Sequence, residues 1–124
     1  MTGRYVLLGN PVAHSLSPRI HAAFARETGE DLDYQRLLVP LDGFAAAVAR
    51  LRAAGARGAN VTVPFKEEAF RIASRLSQRA RAAEAVNTLR FDADGIFGDN
   101  TDGFGLVSDL RGNLGVALAG RRIL

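Results

Sequence analysis

A single lysine stands among fifteen arginines in this chain of 124 residues. It is Lys66, the last residue of the run Asn60-Val61-Thr62-Val63-Pro64-Phe65-Lys66. An arginine does not give up its proton in a protein, whereas a lysine does, and burial shifts its pKa readily. A lone lysine in an arginine-biased chain is therefore a candidate for proton transfer; codon bias is the competing explanation, and the neighbourhood decides between them. Asn60 and Thr62 lie two residues apart, which puts them on one face of a strand. Carboxamides and hydroxyls there suit a polyhydroxylated ligand, because they offer donors and acceptors without excess charge. Similar residues recur at Ser15 and Ser17, at Asn87 and Thr88, and through Asp99, Asn100, Thr101 and Asp102. Taken singly, Ser17 and Asp102 are good helix caps and Asn87 could serve a hairpin. Taken together, they follow separate strands, where α/β sheets bind their ligands.

Other groupings carry less. Gly103-Phe104-Gly105 has Ser108 where a dinucleotide fingerprint wants Gly or Ala, and it follows no long buried strand, so it reads as a loose helix start. His14 beside Ser15 lacks the strand, Gly-x-Ser-x-Gly turn and helix of a hydrolase elbow. His21 has no second ligand one helical turn away, which argues against a metal site.

The elements that must position these residues follow from local pattern. Tyr5 to Leu8 is a short apolar run closed by Gly9-Asn10-Pro11, a buried strand entering a loop. Ser17 and Pro18 supply a cap and a first helical residue; Ile20, Ala23, Phe24 and Glu27 continue at helical spacing until Gly29. A second strand is expected from Asp33 to Pro40, with Tyr34 to Val39 as its body. Asp42 is expected to cap a second helix, with Phe44, Val48 and Leu51 on one face and Gly55 as its stop. A third strand runs from Gly58 to Val63, ended by Pro64. Two short helices are expected over Glu67–Ser74 and Ser77–Ala83. Ala85–Phe91 and Gly95–Gly98 flank the turn Asp92-Ala93-Asp94-Gly95 as a hairpin. A last helix from Asp102 to Leu110 carries Leu106, Val107 and Leu110 on its apolar face. Gly120 to Leu124 reads as the start of another strand. Strand–helix alternation followed by a hairpin gives a three-layer α/β/α fold, with a mixed, mostly parallel sheet of about six strands covered by helices on both faces.

Composition bounds the remainder. The length suits one domain with a proper core. The net charge of +3 comes from arginines scattered along the chain, without the aromatic-interleaved basic stripe of a nucleic-acid surface. The absence of cysteine excludes disulfides and thiolate metal sites and fits a reducing cytoplasm. No apolar run reaches the length of a membrane span, and the N-terminus has no signal-peptide pattern.

Four segments, in order, resemble the shikimate dehydrogenase family. Gly9-Asn10-Pro11-Val12-Ala13-His14-Ser15-Leu16-Ser17-Pro18 is similar to its substrate loop. Asn60 to Lys66 is similar to its catalytic-lysine segment. Ala85-Val86-Asn87-Thr88 and Gly98-Asp99-Asn100-Thr101-Asp102-Gly103 are similar to two more. The resemblance implies an enzyme that reduces 3-dehydroshikimate to shikimate with NADPH in aromatic amino-acid biosynthesis. Ser15 and Ser17 would then hold the substrate carboxylate. Asn60, Thr62, Asn87 and Asp102 would hydrogen-bond the ring hydroxyls, with Thr101 in support, and Lys66 and Asp102 would form the catalytic pair. Reducing a ketone needs a hydride on carbon and a proton on oxygen; Lys66 would supply the proton. The charge of Asp102 favours protonated Lys66 and desolvation favours the neutral amine, two opposing effects.

The family continues into a nucleotide domain with a Gly-rich turn, and no such fingerprint is present here. The expectation is a substrate-binding domain over residues 1–120, with 121–124 the start of a nucleotide-binding domain, so that the 124 residues bind no NADP(H) and are inactive alone. Two rival readings are a quinate or shikimate dehydrogenase using NAD, and a non-catalytic module that holds shikimate or a related polyol acid. The apolar tail, Val116 to Leu118 with Ile123 and Leu124, is expected to be disordered or to pair with the edge strand of another copy.

Overall fold

The computed structural model describes residues 1–124. Six strands form one sheet: β1 (Gly3–Gly9), β2 (Leu32–Leu38), β3 (Gly58–Val61), β4 (Arg75–Leu76), β5 (Thr88–Asp92) and β6 (Gly95–Asp99). Their spatial order is β2-β1-β3-β5-β6-β4. All neighbours are parallel except β5, which runs against both β3 and β6. The expected mixed sheet and hairpin are therefore present, with β4 as a two-residue strand too short to show a sequence period.

Strand parity separates the two faces. Val6 and Leu8 of β1, Ala59 and Val61 of β3, Leu89 of β5 and Ile96 of β6 are buried on one face. Against them pack α2 (Phe44–Ala53) through Phe44, Ala47, Val48 and Leu51, α3 (Lys66–Ile72) through Ala69, and α4 (Gln78–Ala83) through Ala80. Phe44 and Phe65 stack with ring centroids 5.0 Å apart at the centre of this core. Gly58 is required where β3 and β5 meet, because a Cβ there would lie 2.6 Å from the Leu89 carbonyl oxygen.

The other face carries Tyr5, Asn60, Thr88, Arg90 and Phe97, and helix α1 (Ser17–Thr28) covers only its β2 side. Helix α1 forms as its spacing predicts, yet it contributes no buried residue, and Ile20 and Phe24 face solvent. The helix rests on β2 through His21, stacked on Tyr34 at 4.1 Å with 5° between the rings. Gly29 ends it in the left-handed region, φ 72°, as expected of a glycine stop.

Capping differs from expectation at two places. Ser17 is the first residue of α1, and the hydroxyl of Ser15 accepts its N–H at 3.2 Å. Gly43, not Asp42, occupies the cap position of α2, without a side-chain hydrogen bond. Ser77 does cap α4, accepting the Ala80 N–H at 3.1 Å.

Helix α5 (Asp102–Ser108) passes into a π-helical turn, Asp109–Asn113. Its expected apolar face is not core: Leu106 and Val107 are exposed, because α5 lies beyond the sheet edge with no layer against it. The expected strand over Gly120–Leu124 does not form, since no strand lies beside it to complete a ladder. No helix is long and apolar enough to cross a membrane.

Candidate active site

The reversed direction of β5 creates the site. The carboxyl ends of β1, β3 and β6 and the beginning of β5 meet at one sheet edge, with Leu8 beside Val61, Asn60 beside Thr88, and Thr88 beside Asp99. Four separate stretches of chain thus deliver their polar residues to one place.

Lys66 opens α3, and its Nζ donates to Asp102 Oδ2 at 2.6 Å. The two side chains are 34% and 51% exposed, so the pair is open to a ligand and to solvent exchange. Asn87 sits behind Asp102. Its Nδ2 donates to Asp102 Oδ1 and to Thr101 Oγ1, both at 2.9 Å, while its Oδ1 accepts the Thr88 hydroxyl and the Thr101 N–H. All four hydrogen-bonding positions of the carboxamide are filled, which fixes its orientation. Asn60 is held similarly: Nδ2 donates to the Asn87 carbonyl and the Thr88 hydroxyl, and Oδ1 accepts the Tyr34 hydroxyl at 2.8 Å. An unbroken chain of polar contacts runs from Tyr34 through Asn60, Thr88 and Asn87 to Asp102 and Lys66.

Ser15, Ser17 and Thr62 are brought together elsewhere on the same edge. They line a cleft of about 310 Å³ with Leu7, Val12 and His14. The Arg36 guanidinium holds the Ser15 carbonyl with two hydrogen bonds, 3.1 and 2.8 Å, steadying the loop after β1. A larger groove of about 830 Å³ occupies the open sheet face over Tyr5, Tyr34, Asn60 and Arg90. Lys66 and Asp102 line neither the groove nor the smaller cleft; they stand on the rim, while Asn60 and Thr88 line the groove and Ser15, Ser17 and Thr62 line the cleft.

Three neighbours were not assigned by sequence reasoning. Tyr34 anchors Asn60, and burial pushes its phenol up to about 12, with the Ser17 hydroxyl acting in the opposite direction. Its place in the alternation of β2 was the available signal. Asn100, the one buried polar side chain, accepts the Asp102 N–H at 3.0 Å and donates to the Ala85 carbonyl. Asn100 stands in the polar run through Asp102, which marked the position but not a role. Arg79 grips Asp99 with two hydrogen bonds of 2.7 and 2.6 Å, and this contact above all holds the Asp99 carboxyl well below the usual carboxylate range. Nothing in the local sequence of α4 points to Arg79.

The fold and site together define a class: an α/β small-molecule-binding domain with a lysine–carboxylate pair at the carboxyl edge of its sheet. Comparison with known proteins narrows the class. Residues 7–89 match the shikimate dehydrogenase substrate binding domain. A shikimate dehydrogenase (NADP(+)) of Dechloromonas aromatica is 60% identical over 124 residues, all of this chain and 45% of that protein. The solved Ael1 enzyme of Pseudomonas putida superposes with a TM-score of 0.93 at 42% identity, over 98% of this chain and 45% of that one. Shikimate 5-dehydrogenase of Thermus thermophilus, in complex with NADP(H) and shikimate, gives 0.87 at 35% identity, over 94% and 44%. The chain belongs to the shikimate dehydrogenase substrate-binding domain family. It spans less than half the length of the curated relatives it matches.

Proposed function

We propose that these residues bind the substrate and move the proton in an NADP-dependent shikimate dehydrogenase, which reduces 3-dehydroshikimate to shikimate. The carrying observation is Lys66 Nζ at 2.6 Å from Asp102 Oδ2, with both side chains partly exposed and Lys66 just past the turn that follows Thr62, which lines a cleft with Ser15 and Ser17. The carboxylate of the substrate meets the Ser15 and Ser17 hydroxyls. Asn60, Thr62 and Asp102 receive the ring hydroxyls; Asn87 joins them by exchanging its bond to the Thr101 hydroxyl for one to the substrate, with Thr101 in support. Each Asp102 oxygen keeps a lone pair for a substrate hydroxyl after accepting from Asn87 or Lys66. As the ketone carbon is reduced, the Lys66 ammonium gives a proton to the developing alkoxide and regains one from solvent. Asp102 orients the ammonium throughout.

A nicotinamide dinucleotide supplies the hydride in this chemistry, and residues 1–124 do not fit one. Gly103-Phe104-Gly105 lies inside the short helix α5, with the Asp102 carboxylate in the first turn, where a pyrophosphate would be repelled. The hydride site is assigned to the part of the relatives that this chain does not span. NADP is favoured by the names of the relatives. The NAD reading has its own observation, since the Listeria monocytogenes enzyme, 32% identical, was solved in complex with shikimate and NAD. The reading includes a cytoplasmic enzyme.

Steady-state turnover of the full-length protein tests the assignment. Reduction of 3-dehydroshikimate with NADPH preferred over NADH is expected. A preference for NADH, or for 3-dehydroquinate, replaces the assignment with the quinate/shikimate reading. Shikimate binding without turnover replaces it with the binding module.

A further inference from the structure

Asp102 is half-exposed, so packing alone does not hold it. Three hydrogen bonds do: its N–H to Asn100 Oδ1, its Oδ1 from Asn87, and its Oδ2 from Lys66. Two of the three partners are set by one residue, Asp99. The carbonyl of Asp99 accepts the Asn87 N–H at 3.0 Å, and its carboxylate accepts the Asn100 N–H at 2.7 Å. That carboxylate also takes the Ser77 hydroxyl at 2.7 Å and the side-on fork of Arg79. The Arg79 guanidinium lies 5.6 Å from the centroid of the Phe104 ring, in the first turn of α5. Arg79 therefore touches the chain on both sides of the two-residue link, Asn100-Thr101, that delivers Asp102.

We propose that Arg79, acting through Asp99, Asn100 and Asn87, is a positioning residue that sets Asp102 opposite Lys66. The inference rests on reading Lys66 and Asp102 as the proton-transferring pair. Arg79 is itself 46% exposed. An ion pair that open contributes little to stability, so stability alone does not account for a four-donor arrangement on one carboxylate. Placement does, because a displacement of about 1 Å at reacting groups costs on the order of 100-fold in rate. Lysine in place of Arg79 would keep the charge but lose the planar fork that grips both carboxylate oxygens.

The test is a double-mutant cycle on kcat in the full-length enzyme. Arg79→Ala is expected to lower kcat by about 10- to 100-fold, and Arg79→Lys to restore only part of that loss. In an Asp102→Asn background the same change is expected to lower kcat by less than about twofold, since the group it positions is already altered. An equal loss in both backgrounds, or no loss in the parent, overturns the inference. If Asp102→Asn turns over too slowly to measure, or Arg79→Ala fails to fold, the crystal structure of Arg79→Gln decides. Asp102 remaining within hydrogen-bond reach of Lys66 at the parent position overturns the inference; its displacement supports it. Absence of turnover by the parent enzyme would instead reject the functional assignment, and the positioning claim would then be decided by that structure alone.

Discussion

At the scale of single residues, the only lysine is placed where chemistry would need it. It is neither deeply buried nor free, and it holds a carboxylate at 2.6 Å. Lys66→Ala is expected to lower kcat of the full-length enzyme by about two to four orders of magnitude, with substrate binding changed far less; near-normal turnover would end the catalytic assignment. Lys66→Arg keeps the charge without an exchangeable proton. Wild-type activity in that variant would make Lys66 an electrostatic clamp. Tyr34 allows a test by pH. Burial pushes its phenol up to about 12 in the folded chain, against about 10 unfolded. Above pH 10 the unfolded state loses its proton first, so this stability is complete below about pH 10 and is lost as pH rises towards 12. Tyr34→Phe should remove that portion of the alkaline loss, read from urea midpoints at pH 9 and pH 11. An identical slope in both proteins would show that Tyr34 is not the titrating group.

At the scale of elements, short helices carry the site, and short helices depend on their ends. Helix α4 is six residues long, and the Ser77 hydroxyl both accepts the Ala80 N–H and donates to Asp99. Ser77→Ala is therefore expected to destabilise the fold by about 1–2 kcal/mol, at the upper end for a lost cap, because a second hydrogen bond is lost with it. Urea unfolding measures this, and a change below about 0.5 kcal/mol would show that the cap is dispensable. The exposed apolar sides of α1 and α5 have a common cause. Helical spacing identified α1 and α5 correctly as helices, but spacing does not show whether a layer covers the apolar side. Ile20, Phe24 and Leu106 are exposed because no layer covers them in this chain. The face of α2, by contrast, was read correctly because a full sheet lies beneath Phe44, Val48 and Leu51.

At the scale of the whole molecule, the sheet order decides what meets what. Antiparallel β5 starts where β3 and β6 end, so Asn87 and Thr88 arrive beside Asn60 and Asp102 without any long connection. On the proposed reading the assembly would supply a proton donor and hydroxyl-binding groups, and the hydride site would lie in the part of the relatives that this chain does not span. The 124 residues alone, given NADPH and 3-dehydroshikimate, are therefore expected to show no turnover in an absorbance assay at 340 nm. NADPH oxidation dependent on the substrate would place a hydride site within these residues after all.

The sequence by itself determined the α/β class, most strand positions, the buried face of α2 and a short set of candidate residues, Lys66 and Asp102 foremost. It could do so because strand alternation, glycine and proline stops and the proton chemistry of lysine are local properties. The tertiary structure decided the rest. That Asn87 is saturated, that Tyr34 holds Asn60, and that Arg79 reaches Asp99 across 20 residues are consequences of sheet order and register. Each joins groups from different elements, and no local pattern encodes a contact between side chains that only the pairing of distant strands brings within 3 Å.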